Sequence, residues 1–132
     1  MREILFKAKR VDNGTWVEGL LWKKKYNDGN RIFISCFPDK DDNEEVFVIY
    51  PETIGQYTGL TVPSGKIFEH DIVTAKFKSN GARFNFTVKY SNENGCYVFD
   101  NGSVKVPFNS IRSVRIIGNK HDNPELLKER EG

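Results

Sequence analysis

The sequence predicts a mainly-β protein with an antiparallel N-terminal part, a small C-terminal barrel and a short final helix. The first observation is composition: the 132 residues include 10 Phe, 5 Tyr and 2 Trp, and aromatic and β-branched residues favour strands. The second is that hydrophobic and polar residues alternate over short segments. The third is that turn signals such as Asn13-Gly14 and Asn94-Gly95 separate these segments.

The first half of the chain is predicted to form successive antiparallel hairpins. Asn13-Gly14 and the run Asn27-Asp28-Gly29-Asn30 are tight turns. The predicted strands are residues 4–8, 15–22, 31–37 and 45–50. Between the last two lies an acidic loop, residues 38–43. It lacks the glycine and glutamate positions of an EF-hand and is interpreted as a solvated loop rather than a calcium site.

A turn-rich segment in the middle of the chain predicts a division into two parts. Residues 51–60 are interpreted as a connector, and Pro63-Ser64-Gly65 is the clearest turn cluster of the sequence. The boundary is therefore predicted between an N-terminal antiparallel β subdomain, residues 1–64, and a C-terminal part, residues 65–132.

The second half has the rhythm of a small barrel. Its best alternating segment is residues 84–90, with Phe84, Phe86, Val88 and Tyr90 on one face. Further strands are predicted at residues 71–78, 96–99, 104–106 and 112–117, with a 3₁₀ turn at residues 107–110. Short strands, tight turns and a late 3₁₀ segment favour an SH3-like barrel over an OB-like one.

A short helix is predicted to end the chain. Asn123 has the character of an N-cap, Pro124 suits the first helical position and Glu125 suits the first turn. Leu126 and Leu127 are expected to pack on the barrel, and residues 128–132 are expected to fray.

Positive charge is concentrated in one part of the chain. The formal net charge is only +2, but residues 71–120 hold eight Lys and Arg against three Asp and Glu. Because such cations neutralise phosphates, this segment is a candidate nucleic-acid-binding face. The candidate residues are Lys76, Lys78, Lys89, Arg112 and Arg115. The alternative interpretation is that they belong to the solvated faces of strands.

Cysteine usage and hydropathy indicate a cytoplasmic protein. Cys36 and Cys96 are far apart and form no Cys-x-x-Cys pair, so neither a disulfide framework nor a zinc site is predicted. Both lie in apolar strand segments and are interpreted as buried free thiols. The chain begins without an apolar signal region, and no apolar run approaches the roughly 18 residues of a membrane span. No membrane partner is therefore expected.

The sequence contains no recognisable catalytic constellation. Its two histidines, His70 and His121, lie outside known nucleophile contexts and are interpreted as surface or turn residues. Glu69, His70 and Asp71 are consecutive, and neighbouring side chains on a strand point to opposite faces, so the three cannot converge on a metal ion. Asp71 is expected instead to accept backbone hydrogen bonds where a strand begins. No glycine-rich phosphate loop is present, and neither an enzyme nor a cofactor is predicted.

The large aromatic residues follow strand periodicity and are interpreted as core or inter-subunit packing. They are Trp16, Trp22, Phe33, Phe84, Phe86 and Tyr90. Neighbours such as Arg83 and Phe84 are suggestive of base stacking. Strand alternation, however, directs the cation and the ring of such a pair to opposite faces.

Three stretches of the sequence resemble one protein family. The first comprises Met1-Arg2-Glu3-Ile4 and Trp16-Val17-Glu18-Gly19. The second runs from Ile54-Gly55-Gln56-Tyr57-Thr58-Gly59-Leu60 through Gly65-Lys66-Ile67-Phe68-Glu69 to Asp71-Ile72-Val73. The third comprises Ile117-Gly118-Asn119 and Asn123-Pro124-Glu125-Leu126-Leu127. In this order, and over nearly the whole chain, they are similar to the YopX family of phage and prophage proteins.

The resemblance implies a fold and an origin but no activity. It implies an all-β structure with an SH3-like barrel in the C-terminal half, and a phage or prophage origin. Together with the cytoplasmic location predicted above, this origin predicts a protein of the bacterial host cytoplasm. It supplies no catalytic residues. The family pattern has Gly directly before Asp-Ile-Val, where this chain has His70. Glycine permits positive φ and His adopts it less easily, so this residue is a departure from the family pattern that bears on the geometry of the turn.

These observations favour a non-enzymatic binding or assembly module. Many strands in a short chain leave sheet edges that need covering, and self-association into a homo-oligomer is one way to cover them. The alternative is a nucleic-acid-binding accessory protein that uses the basic face of residues 71–120. A host or phage protein is a further kind of partner, whose identity the sequence does not specify.

Overall fold

The structure, a computed structural model, describes residues 3–36 and 44–128. The acidic loop predicted at residues 38–43, which was interpreted as solvated rather than calcium-binding, lies outside the described residues. Residues 129–132 of the predicted frayed end lie outside them as well. The prediction of a mainly-β chain with a short C-terminal helix is confirmed. The chain forms two compact units, Met1–Tyr57 and Thr58–Gly132, which are described in turn.

The first unit is an antiparallel sheet. Its strands are β1 (Phe6–Lys9), β2 (Trp16–Tyr26), β3 (Gly29–Cys36), β4 (Glu45–Val48) and the first residues of β5 (Gly55–Val62). They lie in the order β4-β3-β2-β1-β5. The four predicted strands are confirmed, and β2 extends through the lysines that follow Trp22.

The interpretation of residues 51–60 as a connector is wrong. Pro51–Thr53 form a 3₁₀ turn, closed by the hydrogen bond from the Ile54 N–H to the Pro51 carbonyl. Gly55 then begins β5 and pairs with Lys7 of β1. The glycine and polar residues of this stretch are not typical of strands, so the sequence pattern did not predict β5. The strand forms because it pairs with a neighbouring strand, and strand formation depends strongly on such context.

Backbone contacts join the first and the last of the four strands β1 to β4 in the first unit. Arg10 forms a bridge with Ile49, the Val11 N–H donates to the Val48 carbonyl (2.9 Å), and the Tyr50 N–H donates to the Lys9 carbonyl (3.0 Å). These contacts join the end of β1 to the end of β4. The side chains between them form a core of buried and partly buried residues: Ala8, Val17, Leu21, Ile32, Ile34, Cys36, Phe47, Ile49 and Ile54.

The second unit contains the rest of β5 and six further strands. They are β6 (Gly65–Phe68), β7 (Asp71–Phe77), β8 (Arg83–Ser91), β9 (Cys96–Asp100), β10 (Lys105–Val106) and β11 (Ile111–Asn119), followed by helix α1 (Glu125–Lys128). A five-stranded sheet has the order β10-β9-β8-β7-β11. The predicted 3₁₀ turn is present as Phe108–Ser110. The turn at Pro63-Ser64 joins β5 to β6 inside this unit, so the division between the units lies a few residues before the predicted boundary.

The core of the second unit follows the predicted alternation. Phe86 and Val88 are fully buried, whereas Phe84 and Tyr90 on the same face of β8 are partly exposed at its two ends. Their buried neighbours are Ile67, Val73, Ala75, Phe99 and Ile111.

The C-terminal segment is held by a different contact from the one predicted. The Asn123 Oδ1 atom accepts the N–H of Asn119 at the end of β11 (3.2 Å), so this side chain folds back onto the strand. The helix itself packs against β8, and the Asn85 Nδ2 atom donates to the Leu126 carbonyl (3.1 Å). The predicted docking of this segment on the second unit is therefore confirmed.

Both cysteines are free, but the prediction that both are buried is wrong. Cys36 is partly buried in the core of the first unit, whereas Cys96 is exposed. Cys96 opens β9 opposite Ser91, directly after the turn, where the hairpin has no cover. Within the described residues, no helix is both long and apolar enough to cross a membrane.

Candidate functional site

A row of cations crosses three strands of the second unit. Lys76 of β7 has Arg83 of β8 as its direct partner on one side and Arg112 of β11 on the other. Directly opposed residues in antiparallel strands project from the same face. The three cations therefore lie side by side on the face that is opposite to the buried Val73 and Ala75.

A β-bulge adds Arg115 to this face. Regular alternation would direct Arg112 and Arg115, three residues apart, to opposite sides. The pairing of β11 with β7 shifts register between them, so that Arg115 lies opposite Thr74. Within the bulge Ser113 has a φ of +56°, a value that L-residues rarely adopt. We call Arg83, Lys76, Arg112 and Arg115 the basic row.

The basic row carries uncompensated positive charge. The three arginines are exposed and Lys76 is half-buried between them. The Arg83 side chain extends from β8 to the neighbouring β7, where its Nη1 atom donates to the Thr74 hydroxyl (3.2 Å). Among the described residues, no carboxylate forms an ion pair with any of the four. Directly opposed like charges destabilise a sheet. An anion bound among these cations would reduce their repulsion, so the basic row is suited to bind an anion.

The structure brings together only some of the predicted site residues. Lys76, Arg112 and Arg115 share the basic row, whereas Lys89 lies farther along β8 and forms an ion pair with Asp100 (2.9 Å). Lys78 lies beyond the end of β7, in the lining of a groove. Sequence reasoning omitted Arg83 from the site. If the alternating pattern of residues 84–90 is extended by one residue toward the N-terminus, Arg83 falls on the face opposite to Phe84. This extension is the sequence signal that would have included Arg83.

An open groove lies at one end of the five-stranded sheet. Its volume is about 830 Å³. The apolar part of the lining contains the rings of Phe77 and Phe84, which meet edge to face at 5.5 Å, together with Val104 and Val106. The polar part is supplied by Lys78, Ser79, Asn80, Asn101, Ser103 and Ser110. None of these described lining residues is acidic.

The histidines form a structural contact between a turn and the C-terminal segment. His70 has a φ of +77°, so the turn keeps the backbone conformation that a glycine would favour. Its ring meets that of His121 edge to face at 5.6 Å. Asp71 accepts the Phe68 N–H (2.8 Å), which confirms its predicted role where β7 begins. The described residues contain no group of three side chains suited to hold a metal ion.

The first unit presents a second candidate surface on the outside of its sheet. Trp22, Phe33 and Val48 are direct partners across β2, β3 and β4. The Trp22 ring stacks on Phe33 at 4.3 Å, and its Nε1 atom donates to the Ser35 hydroxyl (2.7 Å).

Four apolar side chains of this surface are strongly exposed. Leu20 and Val46 flank Ser35 in the next row of the sheet. The exposed fractions are 48% for Leu20, 39% for Trp22, and 40% each for Val46 and Val48. We call Leu20, Trp22, Val46 and Val48 the outer apolar face. Contiguous apolar surface of this kind marks interaction sites in soluble proteins.

Comparisons with known proteins give a family match and a structural match. A family model described as YopX protein matches residues 5–128. The crystal structure of protein EF1440 from Enterococcus faecalis is similar over 96% of this chain and 99% of that chain, with a TM-score of 0.56 and 23% sequence identity. No curated protein matches the chain. Because the sequence identity to that structure is only 23%, the structural likeness bears on the fold alone.

Proposed function

The chain belongs to the YopX family, and from that premise we propose that it is a non-enzymatic binding and assembly module. The observation that carries the proposal is the outer apolar face. The same strands supply the core of the first unit with their other side chains, so the sheet is apolar on both sides. A soluble sheet normally exposes polar residues on its outer side. The occupant proposed for the outer apolar face is a second copy of this chain.

Self-association is supported by the composition of this face. A stacked tryptophan surrounded by Leu and Val resembles the centre of a homodimer interface, where aromatic residues are enriched and charges are depleted. A two-fold arrangement would bring the same patch of both subunits together. The edge strand β4, which carries Val46 and Val48, would then be covered as well.

The test compares two charge insertions by sedimentation velocity. Leu20→Lys introduces a charge into the outer apolar face, and because Leu20 is about half exposed the subunit is expected to remain folded. Val104→Lys is the matched control in the second unit, at 46% exposure. We expect a defined oligomer for the wild type and the control, and a monomer for Leu20→Lys. A wild-type monomer at high concentration would contradict self-association.

A second candidate function is nucleic-acid binding by the basic face of residues 71–120. The observation that favours it is the basic row, in which a bulge gathers Arg112 and Arg115 beside Lys76 and Arg83. Arginine is well suited to phosphate because its planar fork donates two parallel hydrogen bonds. Lys89, which is paired with Asp100, does not belong to this proposed surface.

Finer expectations accompany these proposals. The strand order β10-β9-β8-β7-β11 and the 3₁₀ turn before β11 support an SH3-like form of the second unit. The family resemblance supports a phage or prophage origin, and a cytoplasmic location in the bacterial host is proposed with it. A pull-down from induced host cells, with and without nuclease, tests for a host or phage protein partner.

A further inference from the structure

We propose that the groove of the second unit is a base-binding pocket, and that the nucleic acid this protein takes is single-stranded. Its phosphates would follow the basic row, and one unpaired base would enter the groove against Phe84. This inference rests on the second candidate function and adds to it the strandedness of the ligand and the residue that reads it. It concerns only residues of the second unit.

The basic row and the groove meet at the β7–β8 turn. The Arg112 Nη2 atom lies 3.7 Å from the position that a Cβ atom on Gly81 would occupy, so this guanidinium group reaches the turn. Ser79 and Asn80 of the same turn belong to the groove lining, as does Lys78 directly before them. Positive charge thus continues from the face of the sheet, around the hairpin, into the groove.

The lining of the groove suits a nucleobase. Phe84 is 39% exposed and is held by its edge-to-face contact with Phe77, so an aromatic surface is available for stacking. The amide and hydroxyl groups of Asn80, Ser103 and Ser110 are of the kind that hydrogen-bond to base edges. A volume of about 830 Å³ is within the size range of small-molecule pockets and accommodates a single base.

The same geometry argues against a duplex and against an acidic peptide. The bases of a duplex are stacked and paired, so that none can enter a groove without being flipped out. An acidic peptide would be attracted to the basic row, but its carboxylates bring no ring to stack on Phe84. Three of the four cations are arginines, and their forked donors match phosphate.

The test measures fluorescence anisotropy of a labelled 12-nucleotide oligo-dT and of a duplex of the same length with the full chain. For four phosphate contacts, the logarithm of the affinity should fall with the logarithm of salt concentration with a slope of about −3. Arg112→Gln should weaken binding of both probes and reduce the steepness of the oligo-dT slope by about 0.7. Phe84→Leu keeps an apolar side chain but removes the ring, and should weaken oligo-dT binding roughly tenfold or more with an unchanged slope.

Two controls separate the possible failures. Lys89→Gln removes a cation of the same sheet that is already paired, and should leave both affinities within about twofold. Polyglutamate should compete poorly with oligo-dT. If neither probe binds at low salt, both the second candidate function and this inference are wrong. If both probes bind equally and Phe84→Leu has no effect, or if polyglutamate displaces oligo-dT efficiently, the base-binding pocket is wrong and the basic row is a general anion site.

Discussion

At the residue scale, His70 adopts a backbone conformation that is unfavourable for residues other than glycine. Its φ of +77° is in the left-handed region, which favours glycine. A side chain in that region costs about 1 kcal/mol or more. The contact between the His70 and His121 rings offsets part of this cost, since it joins the turn to the C-terminal segment.

The strain at His70 leads to a first prediction. His70→Ala and His70→Gly remove the same ring contact and differ mainly in the backbone conformation that they tolerate. We expect the glycine variant to have the larger free energy of unfolding, by about 1 kcal/mol, in urea titrations. The matched pair Thr61→Ala and Thr61→Gly, within β5, should have the opposite order because glycine weakens a regular strand. Equal stability of the two His70 variants would contradict a strained turn.

The two thiols are expected to differ in reactivity. Burial raises the pKa of the Cys36 thiol, with a further contribution from the charge of Glu45. The thiolate is the reactive form, so at pH 8 a smaller fraction of Cys36 is reactive than of a thiol with the ordinary pKa. Cys96 is exposed and therefore accessible to the reagent. Mass spectrometry after brief iodoacetamide treatment should find Cys96 modified first, and labelling of Cys36 should accelerate as the pH rises above 8. Equal labelling rates would show that the core of the first unit opens readily.

At the element scale, β11 decides what the basic face contains. Its bulge adds one residue between Arg112 and Arg115 relative to β7, and this reverses the direction of Arg115 and Ile116 relative to regular alternation. A second shift between Ile116 and Gly118 changes the phase again near the end of the strand. The site is therefore a property of the pairing between β7 and β11.

The centre of the basic row leads to a prediction in which stability and binding change in opposite directions. Lys76 lies between Arg83 and Arg112, so Lys76→Thr removes like-charge repulsion and introduces a good strand former. We expect the free energy of unfolding to rise by about 0.2–1 kcal/mol while affinity for oligo-dT falls. Lys89→Thr is the control, because it removes an attractive contact with Asp100 and should not stabilise the protein. A loss of stability in Lys76→Thr would indicate that Lys76 has an attractive partner.

At the scale of the whole molecule, the two proposed interactions depend on different forces. Self-association through the outer apolar face is hydrophobic, and added salt does not weaken it. Nucleic-acid binding releases counterions and weakens steeply with salt. The two units would thus supply separate functions, and one titration can distinguish them.

That difference gives a prediction for the intact protein. Raising sodium chloride from 50 to 500 mM should leave the sedimentation coefficient of the oligomer unchanged, while binding of oligo-dT falls by about a thousandfold for a slope near −3. Light scattering and anisotropy on the same samples provide the two readouts. Dissociation of the oligomer by salt would indicate that its interface is electrostatic.

The sequence by itself determined the mainly-β class, nearly every strand, the late 3₁₀ turn and the docking of the C-terminal segment. These features are local, because side-chain alternation and turn residues are encoded within a few positions. Local pattern failed at β5 and β6, neither of which was predicted. In the structure, β5 is hydrogen-bonded to β1 on one side and to β6 on the other. Local pattern also failed at Cys96, whose exposure depends on its position at the end of a hairpin.

Only the tertiary structure decided the composition of the candidate sites. The sequence indicated an excess of positive charge in residues 71–120, but the bulge at Ser113 brings Arg112 and Arg115 to one face, whereas Lys89 lies outside the basic row and forms an ion pair with Asp100. The outer apolar face likewise exists because Trp22, Phe33 and Val48 meet across three strands that are distant in sequence. Register and bulges are set by pairing between strands, and a single strand does not carry that information.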